Sequence, residues 1–119
     1  MNKNKVVINR CYGGFGLSNE AVLWLSKEYG LEYAEYAWGS SRKKGYYLKE
    51  EIQRHDPRLV RCVETLGSRA NGLCAELEIE EIYGNLYRIS EYDGMETLYT
   101  QDTTEWTAIH HYANDSSEL

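Results

Sequence analysis

Residues 6–18 read VVINRCYGGFGLS. The β-branched run Val6, Val7, Ile8 predicts a strand, placed here from Lys5 to Tyr12, and Ser18 or Asn19 can cap a helix directly afterwards. Between the two elements stand Gly13, Gly14 and Gly16. A chain gives up side chains at that density where its backbone turns sharply or where something approaches closely. A strand, a glycine turn and a capped helix make an anion cradle, because the first N–H groups of a helix are unpaired and its dipole is positive there. The spacing is neither a P-loop nor a dinucleotide fingerprint, and a tight strand-to-helix turn accounts for the glycines equally well.

Working outward, Ala21, Leu23 to Leu25 and Tyr29 form the apolar side of the first helix, and Gly30 stops it. Leu31 to Trp38 reads as a second strand and GSSRKKG, residues 39–45, as a polar turn or short loop. Asp56-Pro57 starts a helix over 57–66, with Asp as N-cap and Pro at the first position, where its missing N–H costs nothing. Leu59, Val60, Val63 and Leu66 give it an apolar stripe, and Gly67 can supply a left-handed turn at its end. From Leu73 the period changes to two, with Ala75, Leu77 and Ile79 alternating with Glu76, Glu78 and Glu80. Gly84-Asn85 and Asp93-Gly94 are turns around a strand from Leu86 to Tyr92, which predicts an antiparallel hairpin or meander. The expected architecture is a single α+β domain over 1–114, a mostly antiparallel sheet packed with two amphipathic helices, and a frayed polar tail at 115–119.

Composition narrows the function classes. The chain has 119 residues and a formal net charge of −6, so general binding to DNA, RNA or an anionic membrane is disfavoured. No apolar run approaches a membrane span and MNKNKVVINR has no signal-peptide core, which predicts a cytoplasmic protein whose three cysteines, Cys11, Cys62 and Cys74, are reduced and buried. Eleven tyrosines and three tryptophans against one phenylalanine suit half-wet interfaces and stacking sites better than a dry core.

The second helix carries a charge order opposite to what its dipole favours. Arg54 precedes it, Arg58 lies in its first turn and Arg61 in its second, while Glu64 lies late. An anion at that end would explain the crowding, and Arg suits bidentate phosphate contact. The alternative is that Arg58 and Arg61 pair with the carboxylates of the 76–81 strand. Tyr46, Tyr47, His55, Arg69 and Asn71 add rings, an imidazole and an amide, the inventory of a nucleotide pocket. Neither a metal-ligand spacing nor a nucleophile elbow stands out, and His55, His110 and His111 are the only histidines, so no metal, cofactor or catalytic residue is expected.

Four blocks, VVINRCYGGFGLS at 6–18, RHDPRLVRCVETLGSRANG at 54–72, AELEIEEI at 75–82 and SEYDG at 90–94, are spread over roughly three quarters of the chain. Together they resemble a family of small bacteriophage proteins, the first-described Thoeris anti-defence family of signal-sequestering sponges. The resemblance implies a non-enzymatic protein of the host bacterial cytoplasm. It would bind the cyclic ADP-ribose isomers made by bacterial TIR-domain enzymes and block Thoeris defence, and it could also take cyclic oligonucleotide signals of CBASS. It further implies a homo-oligomer, a dimer or hexamer, with ligand at the subunit interface. Carried onto this chain, base stacking falls near Tyr47, His55 stands where relatives often have Asn, Arg54, Arg58, Arg69 and Asn71 serve phosphates and ribose, and the Phe15 loop closes the pocket. The segment between Trp38 and Tyr46 is short for this family, and TTEWTAIHHY at 103–112 lacks a basic ending. Two other classes compete: a small enzyme that cleaves the same nucleotide with His55 or His110 as base, and a phage inhibitor that binds a host protein.

Overall fold

In the computed structural model, which describes residues 3–38 and 43–100, the strand of the opening stretch is the middle of the molecule. This strand, β1 (Lys3–Asn9), ends three residues earlier than its apolar pattern predicts, because the chain leaves the ladder to turn at the glycines. It is fully buried at Val6, Val7, Ile8 and Asn9, so both of its faces are covered. The helices follow the sequence closely. α1 (Asn19–Tyr29) is capped by Ser18, whose side chain accepts the Ala21 N–H, and closed by Gly30 in the left-handed region. α2 (Pro57–Leu66) is capped by Asp56, which accepts the Arg58 N–H, and Gly67, also at positive φ, leads into a 3-10 turn over Gly67–Ala70. In α1 the buried residues are Ala21, Val22 and Leu25, whereas Leu23 is exposed, so the inward stripe is narrower than its composition suggests.

Five further strands complete an α+β domain, all antiparallel and divided among three two-stranded ribbons. β2 (Tyr33–Trp38) pairs with β3 (Lys43–Leu48), so residues 43–45 are strand rather than loop. β4 (Leu77–Tyr83) pairs with β1, Val7 opposite Ile79, and its ladder begins later than Leu73. β5 (Arg88–Tyr92) pairs with β6 (Met95–Tyr99) across the Asp93-Gly94 turn. The hairpin therefore forms at 93–94 and not at 84–85, since β4 takes its partner from the other end of the chain.

The β1/β4 ribbon separates two apolar clusters. Val7 faces α1 and α2, where it meets Leu25, Leu59, Cys62, Val63 and Leu66. Val6, Ile8 and Ile82 face the β5/β6 ribbon through Tyr87, Ile89 and Leu98. Burying each such aliphatic side chain contributes about 1.5–3 kcal/mol, so a strand flanked by both clusters holds the layers together. The free edge of β1 is also closed: the Val7 N–H donates to Arg54 O at 2.9 Å and the Asn9 N–H to Glu96 Oε1 at 2.8 Å. Cys62 alone of the three cysteines is buried, and burial, reinforced by the Glu20 carboxylate, pushes its thiol up to about 11. Cys74 is exposed and Cys11 half-buried, because both lie in the segments that cross at the glycine turn rather than under a helix. Residues 103–112, the histidines His110 and His111, and the tail at 115–119 lie outside the described residues.

Candidate functional site

What approaches the glycines is the protein's own backbone. Gly13 and Gly14 have φ of 118° and 115°. The Asp93-Gly94 turn lies directly on them, with the Gly13 N–H donating to Asp93 O at 2.8 Å; a Cβ on Gly94 would fall 2.6 Å from the Gly13 carbonyl carbon. On the other side the Gly72 N–H donates to Gly16 O at 2.8 Å, and a Cβ on Gly72 would sit 2.7 Å from the Gly16 carbonyl carbon. The buried Asn9 side chain completes the junction. Its Nδ2 donates to Cys11 O at 2.6 Å and Gly94 O at 2.7 Å, and its Oδ1 accepts from the N–H groups of Cys11 and Glu76.

The arginines are engaged as well, though not by the strand carboxylates. Arg54 makes a two-pronged pair with Glu96, Nη1 to Oε1 at 2.6 Å and Nη2 to Oε2 at 2.7 Å, and its guanidinium lies 3.7 Å from the Phe15 ring centroid. Glu96 is only 5% exposed. Burial alone would push its carboxyl up, but the Arg54 fork and the Asn9 N–H together outweigh it and hold the group below its ordinary value. Arg58 forks onto Asp56 of its own cap at 3.0 and 2.7 Å, which holds that carboxyl low against the opposing effect of burial. Arg61 donates to Tyr29 Oη and Arg69 to Glu20. The β4 carboxylates pair instead with Lys3 and Arg10, and Glu64 of α2 with Lys5. His55 is on the hairpin side of β1/β4, with Nδ1 2.7 Å from Tyr87 Oη, beside a cavity of about 150 Å³ floored by Val6 and Ile82.

Phe15, Tyr47 and Arg54 do come together. With Tyr46, Glu50 and Glu51 they line a cavity of about 300 Å³ between α1 and the β2/β3 ribbon. Leu17 is shared with a second, larger cavity of about 660 Å³, lined by Ser18, Asn19, Tyr36, Lys44 and Asn71. The two adjoin at Leu17, beside the N-terminal half of α1. Asn19 ties α1 to β3: its Nδ2 donates to Lys44 O at 3.1 Å and its Oδ1 accepts the Tyr46 N–H at 2.9 Å, replacing a strand partner on the edge of β3. Gly45 is opposite Tyr36, whose ring lies over the glycine where a Cβ would strike it. The Tyr36 and Tyr47 rings sit 5.9 Å apart and are 47% and 51% exposed.

Asn71 therefore lines the larger of these two cavities, Arg58 and Arg69 line none of the three, and His55 lines the third. The sequence reading missed Glu96, Asn9, Asn19 and the two cavity carboxylates, Glu50 and Glu51. Glu96 carried one signal: in METLY it has the same parity as Leu98, so it had to face inward and find a cation. Among the described residues no group of three His, Cys, Asp or Glu could hold a metal ion, and no helix is long and apolar enough to cross a membrane. No family model, no curated protein and no solved structure matches the chain.

Proposed function

We propose that this protein binds and holds, without cleaving it, a cyclic ADP-ribose-type nucleotide signal made by bacterial TIR-domain enzymes, and so blocks Thoeris defence in the host bacterial cytoplasm. The observation that carries this reading is the pair of adjoining cavities beside α1, whose lining includes the aromatic residues Phe15, Tyr36, Tyr46 and Tyr47 together with Ser18, Asn19, Asn71 and Lys44. The resemblance of the 6–18, 54–72, 75–82 and 90–94 blocks to the sponge family supports it independently. In this reading Tyr47 stacks on the ligand and Asn71 contacts it. Arg54, neutralised by Glu96, presents Phe15 rather than meeting a phosphate.

A sponge works by enclosure and slow release, not by chemistry. Its site concentration must match that of the signal and its affinity must exceed the effector's. Tyr36 and Tyr47 are half in solvent, so a second copy closing over the cavities would supply the missing wall and preorganise the site. The homo-oligomer with ligand between subunits belongs to this proposal.

The test is retention. Purified protein is incubated with cyclic ADP-ribose isomers, unbound nucleotide is filtered off, and the protein is heated and its released contents analysed. Release of intact ligand is expected. Release of a linear product would replace the sponge with a hydrolase, and release of nothing would overturn the nucleotide reading.

A further inference from the structure

The face of the β1/β4 ribbon that looks toward the β5/β6 hairpin carries a cavity of about 150 Å³, separate from the two beside α1. Its floor is Val6 and Ile82, 0% and 5% exposed and held in the second apolar cluster. Its rim is Asn4, His55, Asn85 and Tyr87. Part of that rim is fixed: His55 Nδ1 lies 2.7 Å from Tyr87 Oη with the two rings edge to face, and Asn4 Nδ2 donates to Gly84 O at 2.6 Å. The Asn4 Oδ1 remains as an acceptor, and the Asn85 side chain has no hydrogen bond to any described residue. None of the six lining residues is Lys, Arg, Asp or Glu. Arg54 is near enough to act on the Tyr87 hydroxyl, but its charge is matched by the Glu96 fork.

An apolar cavity of about this size admits a benzene-sized ring. Charge removes most other occupants, because a phosphate, carboxylate or ammonium entering here would shed its water and find no counter-charge. The two rim amides narrow the choice further. An Asn side chain holds a C=O acceptor beside an N–H donor, so its complement is an edge that carries an N–H beside a C=O. We infer that this cavity is a second binding site, which takes an uncharged six-membered ring with an amide edge, either an open carboxamide on the ring or a cyclic amide within it. Val6 and Ile82 form the bed for the ring, Asn4 and Asn85 read its edge, and the His55-Tyr87 pair walls it in. The site lies across β1/β4 from the cavities beside α1, so the inference does not rest on the nucleotide reading.

Benzamide, the cyclic amide 2-pyridone and benzoate, the anionic isostere of benzamide, are titrated by NMR into isotopically labelled protein at about pH 8, on the neutral side of the imidazole range. At least one of the two amides is expected to shift the Val6, Ile82, Asn85 and Tyr87 resonances saturably, with a Kd of about 1 mM or tighter, a range open to ligands of this size. Which of them binds tells an open carboxamide from a cyclic one. Benzoate is expected to bind at least about tenfold more weakly than the better amide, because its charge is desolvated without a partner. Asn85→Leu, at an exposed position beside a turn, is expected to weaken the amide about tenfold by removing its hydrogen bonds. Absence of saturable shifts at the cavity with either amide would make it a packing gap and overturn the inference. Benzoate binding as tightly as the amide, or undiminished amide binding by Asn85→Leu, would overturn it as well. If Asn85→Leu does not fold, the comparison of amide with benzoate on wild type decides alone. Failure of wild type to retain cyclic ADP-ribose would sink the nucleotide reading and leave this result standing.

Discussion

The junction around the glycines and the pair of cavities beside α1 lie a few residues apart in sequence and differ in one respect. At the junction the buried polar side chains have partners inside the fold: the Asn9 side chain makes four hydrogen bonds, and Glu96 binds both Arg54 and the Asn9 N–H. In the cavities two carboxylates and an amide have unmet hydrogen-bonding capacity and two tyrosines are half in solvent. A fold can leave such groups open at little cost when they stay hydrated, whereas a buried group without a partner costs about 1–3 kcal/mol. The junction is therefore framework and the cavities are where a ligand can gain. Mutations should divide along that line, the former lowering stability and the latter lowering binding.

The largest effect belongs to Gly94→Ala. Its φ of 92° disfavours any side chain, and the new Cβ would collide with the Gly13-Gly14 backbone, which cannot swing aside as a side chain would. Strain of about 1–3 kcal/mol from the dihedral combines with an overpacking cost of similar size. Gly14→Ala is the internal comparison: φ is also positive, but nothing lies within 4 Å of its Cβ, so only the dihedral strain applies. Urea unfolding midpoints should fall in that order, and equal losses would show that the turn yields at Gly94.

Glu96→Gln comes next, with a loss of about 3 kcal/mol, because the Arg54 guanidinium is left half-buried without its counter-charge. The pH dependence has a definite sign. The folded carboxyl is held below its ordinary value of 4.5, so its contribution is present above that value and is lost as pH falls from there through the lowered folded value. Wild type should lose stability below about pH 4.5, and Glu96→Gln should lose less over the same interval, the remainder coming from groups such as Asp56. Parallel acid unfolding curves for the two proteins would contradict this.

The framework was legible in the sequence wherever its cause was local. Ser18, Gly30 and Asp56-Pro57 fixed both helices within a residue because caps act within one turn, and Asp93-Gly94 fixed its hairpin for the same reason. The pairing of β1 with β4 joins positions more than 65 residues apart, and no local pattern chooses between β4–β5 and β1–β4 when both satisfy the same alternation. Arg54 illustrates the loss at the level of a site. Its neighbours in sequence suggested a phosphate, whereas its partner lies 42 residues away on β6. The rings Tyr46 and Tyr47 were legible as binding candidates, whereas nothing local in the Glu50-Glu51 segment says that it lines the same cavity, which only the fold of the ribbon against α1 brings about.

On the cavity side the effects are smaller and appear in a different measurement. Tyr47→Ala removes an exposed ring, so the unfolding midpoint should scarcely move, while retention of cyclic ADP-ribose should weaken by about 1–3 kcal/mol, the range for loss of one base-stacking ring. A drop in stability without a drop in retention would place Tyr47 with the framework.

Arg69 gives the smallest expected effect and a pointed one. The family resemblance assigns it to phosphate or ribose, yet in this fold it pairs with Glu20 in the first turn of α1 and lines none of the three cavities. Its side chain is 61% exposed, and pairs that wet contribute little, so Arg69→Ala should cost no more than about 0.5 kcal/mol and leave retention within about twofold. Glu20→Ala separates the possibilities further, because it frees Arg69 while leaving its charge in place. If Arg69→Ala abolishes retention and Glu20→Ala improves it, Arg69 exchanges Glu20 for the ligand, and the boundary between framework and binding cavities must be redrawn to take in the N-terminus of α1. If neither variant changes retention, Arg69 stays on the framework side with Arg54 and Arg58.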